Sequence, residues 1–398
     1  MPNWFSWPRR GRAGGMIYAR TDPPETKASR TGALFAFSQP GRPVWTGADY
    51  GALAREGFVR NPVAYRAVRM ISEAAASVPM LLYEGERELT SHPLLDLLAR
   101  PNARQSGPEL LEALTGHLMI SGNGYLEAVA LDGRVRELHV LRPDRMRVIP
   151  GPDGWPEAYD YSAGGRTVRF RQDEGPVRPI LHLALFHPLD DHHGLAPMAA
   201  AAVSLDIHNA AGAWAKALLD NAARPSGALV YRGEGGNLTD DQFARLKAEL
   251  ADGYQGARNA GRPLLLEGGL DWKPLSLTPK EMDFIDAKNQ AAREIALAFG
   301  VPPMLMGIPG DATYANFREA NLAFWRQTVL PLLGRTAGAL CQWLGPAFGP
   351  GLRLGHDLDA ISALSSEREA LWARVGAAGF LSEDEKRVAV GYGARAPA

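Results

Sequence analysis

The sequence predicts an α+β protein in which helices and strands occupy separate stretches of the chain. Apolar residues recur at helical spacing over several stretches bounded by capping and stop residues. Residues 125–186 switch instead to a period of two, with hairpin signals between runs. With 398 residues, 46% of them hydrophobic, the chain is long enough for a sizeable core and more than one domain.

The elements follow in order. Residues 1–57 are rich in Pro, Gly, Arg, Ser and Thr and read as a tail without regular structure of its own. Order is expected to begin at Asn61-Pro62, an N-cap followed by proline at the first helical position, with Val63, Ala67, Met70, Ile71, Ala74 and Val78 at helical spacing before Pro79. Ser106 and Glu109 form a capping box for a second helix, striped by Leu110, Leu111, Leu114 and Leu118 and ended by Gly122-Asn123-Gly124. In the β-rich block Asp132-Gly133 is a strong hairpin turn, and runs around Val140, Val148, Tyr159, Val168 and Leu183 read as further strands.

Residues 196–223 read as a long Ala-rich helix with Val203, Ile207, Ala211, Trp214 and Leu218 along one stripe, ended by Arg224-Pro225. A small α/β unit follows: a strand near Leu229–Tyr231, a helix capped by Thr239 and running through Leu250, and a strand over Pro263–Leu266. Thr278-Pro279-Lys280-Glu281 is a capping box with proline at N1, opening a helix to Phe299. Met282, Ile285, Ala292, Ala296 and Phe299 line one side of it, and Gly300 and Pro302-Pro303 stop it. A last long helical pattern covers 316–344 with Pro331 inside, where a kink or break is expected because proline lacks the donor and crowds the Gln327 carbonyl. Residues 356–398 read as one or two short helices.

Composition narrows the function. Net charge is −1, which argues against a strongly basic nucleic-acid binder. The single cysteine, Cys341, permits no intrachain disulfide and reads as a structural thiol. No window approaches the uninterrupted apolar length of a membrane span, and Met1–Arg12 lacks the apolar core of a signal peptide, so a cytoplasmic site of synthesis is expected.

One cluster suggests chemistry: His182, His187, Asp190, Asp191, His192 and His193. Imidazoles and carboxylates at this density suit zinc or iron, and a metal-dependent hydrolase or nuclease is the alternative they raise. No HExxH or paired-cysteine spacing accompanies them, however, and a polar loop beside one strand histidine is the plainer reading, with no metal and no cofactor. The chain has no Walker A sequence and no G-x-S-x-G elbow. Gly233-Glu234-Gly235-Gly236-Asn237 lacks a phosphate-binding lysine, Asp240-Asp241 suits a helix start, and Asp357 with Asp359 lacks a third carboxylate for a nuclease. No catalytic residue is assigned.

An ordered set of short motifs then points elsewhere. These are NPVAYRAVRMIS from Asn61, SHPLLDLLARPN from Ser91, SGNGYLE from Ser121, LRPD from Leu141, HHGLAP from His192, NAARPSG from Asn221, AFGVPPMLMG from Ala298 and TVLPLL from Thr328. In this order they resemble the portal proteins of Hong Kong 97-type long-tailed phages, prophages and gene transfer agents, over roughly residues 58–350. The resemblance implies a dodecameric ring at one capsid vertex, made of wing, stem, clip and crown. It would pass double-stranded DNA without reading sequence, with the terminase large subunit, a head–tail adaptor and the major capsid protein as neighbours and no membrane. It further implies a wing over 58–195, stem helices at 196–223 and 278–299, a clip at 224–277, a wing return with the tunnel helix and loop at 300–355, and a crown at 356–398. On that reading the candidates for facing DNA are Lys216, Lys288, Arg293, Arg318, Arg326 and Arg335, each of which is otherwise an ordinary solvated or intersubunit side chain. Sparse basic residues suit passage, because each phosphate contact adds affinity and many would hold the duplex still.

Overall fold

The computed structural model describes residues 45–47, 49–220, 227–231, 270–274, 284–310 and 314–393, with isolated helical positions between 239 and 248. Regular structure begins earlier than the sequence suggests. Helix α1 (Tyr50–Ala52) is capped by Asp49, which accepts the Ala52 N–H at 3.0 Å, and continues in π winding over Leu53–Val59. The expected tail to residue 57 is thus corrected from Tyr50 onward. Packing is the reason: Leu53 is 1% exposed, and Gly57 lies where a Cβ would sit 2.3 Å from the Met198 sulfur. A partner so far along the chain leaves no local pattern to read.

Helix α2 (Pro62–Ser77) starts at the predicted cap, with the Asn61 side chain accepting the N–H groups of Val63 and Ala64 at 3.0 and 3.1 Å. Then come β1 (Met80–Glu84), β2 (Arg87–Leu89), α3 (Pro93–Ala99) and α4 (Gly107–Ser121). The Ser106–Glu109 capping box opens α4, and left-handed Gly122 closes it. Strands β3 (Asn123–Leu131) and β4 (Arg134–Leu141) pair antiparallel through Asp132 and Gly133, whose φ values of 52° and 72° are those of the twist-matched hairpin turn. β8 (Ile180–Ala184) flanks β3 on its other side. β5 (Met146–Pro150), β6 (Pro156–Ala163) and β7 (Arg166–Arg171) form a separate antiparallel sheet. Tyr125, Leu141, Val148, Tyr159 and Ile180 form one buried cluster between these two sheets.

The predicted 196–223 helix divides at Ala201 into α5 (Pro197–Ala200) and α6 (Ala202–Asp220), and 221–223 lie outside the described residues. Its inward face is also corrected. Of the predicted stripe Ala211 is buried while Val203 and Ile207 are exposed, and Ser204, Leu205 and His208 are buried with Ala211. Strands β9 (Gly227–Tyr231) and β10 (Leu270–Pro274) pair antiparallel. The strand expected at 263–266 and the capping box at 278–281 lie outside the described residues, as does most of the helix expected at 239–250. Helix α7 (Phe284–Ala298) buries Ala291, Ala292, Ile295 and Ala296 and is stopped by Gly300 at φ 66°.

The proline effect takes a specific form. Helix α8 (Tyr314–Phe324) widens to π winding over Trp325–Val329 and returns to α geometry in α9 (Leu330–Phe348), with Pro331 in the first turn. The widened turn lies where a proline would otherwise collide with the preceding carbonyls. Strand β11 (Leu352–His356), not foreseen in the sequence, pairs with β1 from Met80↔His356 to Glu84↔Leu352. The Cys341 thiol donates to the Leu352 carbonyl at 3.0 Å and belongs to this packing. Short helices α10 (Ser365–Gly376) and α11 (Glu383–Ala389) end the described chain. The main core is built from α2, α4, α7 and α9, around Ile71, Leu114, Ile295 and Leu340. No helix among the described residues is long and apolar enough to cross a membrane.

Candidate nucleic-acid interface

Helices α6 and α7 run side by side. Ser204 Oγ donates to Glu294 Oε2 at 2.6 Å, and one turn further along α6 His208 feels the Lys288 ammonium, which lies earlier on α7, so the two helices are antiparallel. Further polar contacts hold the base of α6. Thr46 donates its N–H to Asp206 at 2.8 Å and its hydroxyl to the same carboxylate. Asn209 donates to the Glu56 carbonyl at 2.9 Å, and Asn61 Nδ2 reaches Asn209 Oδ1 at 3.0 Å and His208 Nδ1 at 3.2 Å. Burial, with the Lys288 ammonium nearby, lowers the His208 pKa, which suits a neutral ring accepting from Asn61.

The six basic residues singled out in the sequence meet different surroundings. Lys216 and Arg335 are exposed on α6 and α9, and Lys288 is half-buried on α7. Arg293 is half-buried and donates to the Pro309 carbonyl, pinning the turn after α7. Arg326 lies in the π segment, 3.2 Å from Glu367. Arg318 is exposed on α8 with Glu319 at 3.8 Å. Two of the six, Arg293 and Arg326, are therefore committed to holding this chain's own elements together, which spacing in the sequence does not reveal.

The histidine-rich loop is built for closure. His182 on β8 is half-buried and stacks on Tyr125 with ring centroids 4.2 Å apart. Its Nε2–H donates to Asn123 Oδ1 at 2.9 Å, and the Tyr159 hydroxyl lies 3.4 Å from Nδ1. Burial, reinforced by His193 and His192, pushes its pKa down to about 3, so the ring is neutral. Asn123 Oδ1 also accepts the Gly194 N–H at 2.8 Å and ties the loop back to β3. Asp190 accepts the His192 and His193 N–H groups at 2.8 and 2.9 Å, and these bonds push its carboxyl down to about 2. His187 Nδ1 accepts the Leu189 N–H at 3.0 Å. These polar atoms serve local turns, and among the described residues no three His, Cys, Asp or Glu side chains gather where they could hold a metal. Asn123 is the functional residue of this loop that sequence reasoning passed over; its Gly-Asn-Gly setting was read only as a helix stop.

Comparison with known proteins decides between the readings. The family model described as phage portal protein matches residues 62–391. The chain belongs to the phage portal protein family. It is 27% identical over 344 residues to the portal protein of Enterobacteria phage HK97, covering 83% of this chain and 78% of that one. It is 40% identical over 339 residues to an uncharacterized protein of Rickettsia bellii, covering 84% and 88%. Among solved structures, a chain from the neck of an empty GTA particle, computed with C6 symmetry, is 58% identical, with a TM-score of 0.70 and coverage of 90% and 98%. A Hong Kong 97-family portal protein from Corynebacterium diphtheriae shares the fold at a TM-score of 0.57 and 16% identity. The portal fold and a Hong Kong 97-type membership follow, and nothing supports a metal-dependent hydrolase or nuclease at the 182–193 loop.

Proposed function

We propose that this portal protein is a ring subunit at one vertex of a phage-like particle of the gene-transfer-agent type, where double-stranded DNA passes in and out. The observation that carries the reading is the 58% identity, over 90% of the chain, to a protein solved within the neck of a GTA particle. A twelve-membered ring is the expected assembly, since a chain of the same 58% identity occurs in a native GTA neck computed with C12 symmetry. We assign 58–195 to the first part of the wing, 196–223 and 278–299 to the stem, 224–277 to the clip, 300–355 to the wing return with the tunnel helix and loop, and 356–398 to the crown and C-terminal tail.

The channel is passive on this reading. The sequence has no Walker A motif and we assign it no reaction; the force on DNA is proposed to come from a partner motor, the terminase large subunit. A head–tail adaptor and the major capsid protein are the other expected neighbours. A net charge of −1 suits a duplex that must slide, because counterion release at many phosphate contacts would bind it tightly. Lys216, Arg318 and Arg335, all exposed, are proposed to face DNA together with Lys288, while Arg293 and Arg326 make contacts within the chain. Negative-stain imaging of purified protein, with mass measurement in solution, tests the reading. Rings with a central hole are expected, and a protein that remains monomeric at every concentration would overturn it.

A further inference from the structure

Strand β2 is the outer strand of the β11–β1–β2 sheet, and β1 pairs with only one of its edges. Glu84 and Arg87 close the two-residue turn between β1 and β2, and Leu82 stands opposite Leu89. In an antiparallel pair, bonded and non-bonded positions alternate. Arg87 and Leu89 therefore bond to β1, while Glu88 between them turns its N–H and C=O outward. An edge of this kind invites another chain, and proteins commonly cover it.

The C-terminal segment comes to that edge. Past α11 it is pinned residue by residue. Arg368 donates to the Val390 carbonyl, the Tyr83 hydroxyl to the Gly391 carbonyl at 2.9 Å, the Tyr392 hydroxyl to Asp359 Oδ2 at 2.9 Å, and Arg387 Nε to the Gly393 carbonyl at 2.9 Å. Gly391 turns the chain here with a φ of 95°. Gly393 is buried, so close to β2 that a Cβ on it would fall 2.4 Å from the Glu88 nitrogen and 2.8 Å from the Glu86 oxygen. These two groups, a donor and an acceptor, flank Arg87 on the side away from β1, where a neighbouring strand would bond.

The five residues that follow suit a strand laid there. Ala394, Ala396 and Ala398 are small, and Pro397 restricts Ala396 to extended backbone. Proline is tolerated on an outer strand, where its missing donor faces solvent. Charge favours the same placement. Glu86, exposed, and Glu88, half-buried, border the edge, and the one charged side chain beyond the contact is Arg395, two residues or about 7 Å further along an extended chain.

We propose that Ala394–Ala398 adds to β2 of its own chain as a fourth strand, with Arg395 beside Glu86 and Glu88, and so closes this sheet to strand addition by any other chain.

The test compares amide hydrogen exchange of the full chain with that of a chain stopped after Gly393. In the shortened chain the β2 amides should exchange roughly tenfold faster, the weight of about one net backbone hydrogen bond, while α2 and α4 keep their protection. Equal exchange in the two chains overturns the proposal. In the full chain Arg395→Glu should speed the same amides and Arg395→Lys should leave them slow. Gly393→Ala, which puts a Cβ against β2, should speed them with all five residues still present. Mixing tells whose segment covers the edge. Isotopically heavy shortened chains are incubated with light full-length chains, and the two are read separately by mass. Heavy β2 amides that stay fast support the contact within one chain. Heavy amides slowed by the full-length chains would mean that a neighbouring copy supplies the strand, and the proposal falls.

Discussion

Asn61 does two jobs, and replacing it separates them. Its Oδ1 caps α2 through the Val63 and Ala64 N–H groups, while its Nδ2 donates to His208 and Asn209 at the base of α6. Asn61→Ala removes the cap, a loss of about 1 kcal/mol. It also strands a buried acceptor, for which ~1–3 kcal/mol applies, because Asn61 is 1% and His208 7% exposed. The expected total is about 2–4 kcal/mol. Asn61→Asp keeps the capping oxygen but turns a buried carboxylate oxygen toward the Asn209 Oδ1 and His208 Nδ1 acceptors, so it too should be less stable than the wild type at neutral pH. Urea unfolding of the monomeric subunit, followed by circular dichroism, reads this directly. With a slope of ~3 kcal/mol per molar, the alanine variant should unfold about 1 M earlier. A shift no larger than that of an ordinary exposed cap would refute the argument, because it would mean that the amide's second contact contributes nothing.

Truncating Leu205 or Ile295 to alanine, both fully buried on the facing helices α6 and α7, should destabilise the subunit by about 2–5 kcal/mol in the same assay. Stability should also fall with acid. Burial pushes the pKa of His117, on α4, down to about 4, as it pushes that of His182 to about 3, so between there and about pH 6.5 the unfolded chain binds more protons and each histidine destabilises the fold as pH drops. Unfolding midpoints at about pH 7 and about pH 4.5 should differ, and His182→Gln should narrow the gap. Replacing Lys216, Arg318 and Arg335 together by glutamine should leave rings intact while weakening DNA retention by purified rings. The log–log salt slope should then fall by about 0.9 for each phosphate no longer neutralised, and an unchanged slope would remove these residues from the channel.

What the sequence made legible was local. Helix starts at Asn61 and Ser106, the Asp132-Gly133 hairpin and the stop at Gly300 each depend on residues within one turn, and each lies where it was expected. Elements that depend on distant partners were not readable. The helix from Tyr50 exists because Leu53 and Gly57 reach the core and Met198, and β11 exists because β1 offers it an edge. The α6 stripe is a different case. Its apolar spacing is real, but spacing reports that a face is apolar without saying what covers it, and the chain's own core takes the neighbouring face, where Ser204 and His208 look polar in sequence yet are satisfied by Glu294 and Asn61. For the six basic candidates, charge and position in the chain could not show that Arg293 and Arg326 already serve as internal ties.

The pairing of β1 with β11 has a consequence in time. Strand β1 ends at Glu84 and its partner begins at Leu352, so on the ribosome the sheet stays open until about 270 further residues have been made. At ~5–20 residues per second that interval is roughly 15–55 s. Throughout it β1 has only the three-residue β2 on one side and an unpaired edge on the other. The sheet therefore closes only once Leu352–His356 has been made, and the Tyr83 hydroxyl finds the Gly391 carbonyl later still. A truncation before Leu352 should therefore leave β1 with an unpaired, aggregation-prone edge rather than give a smaller portal.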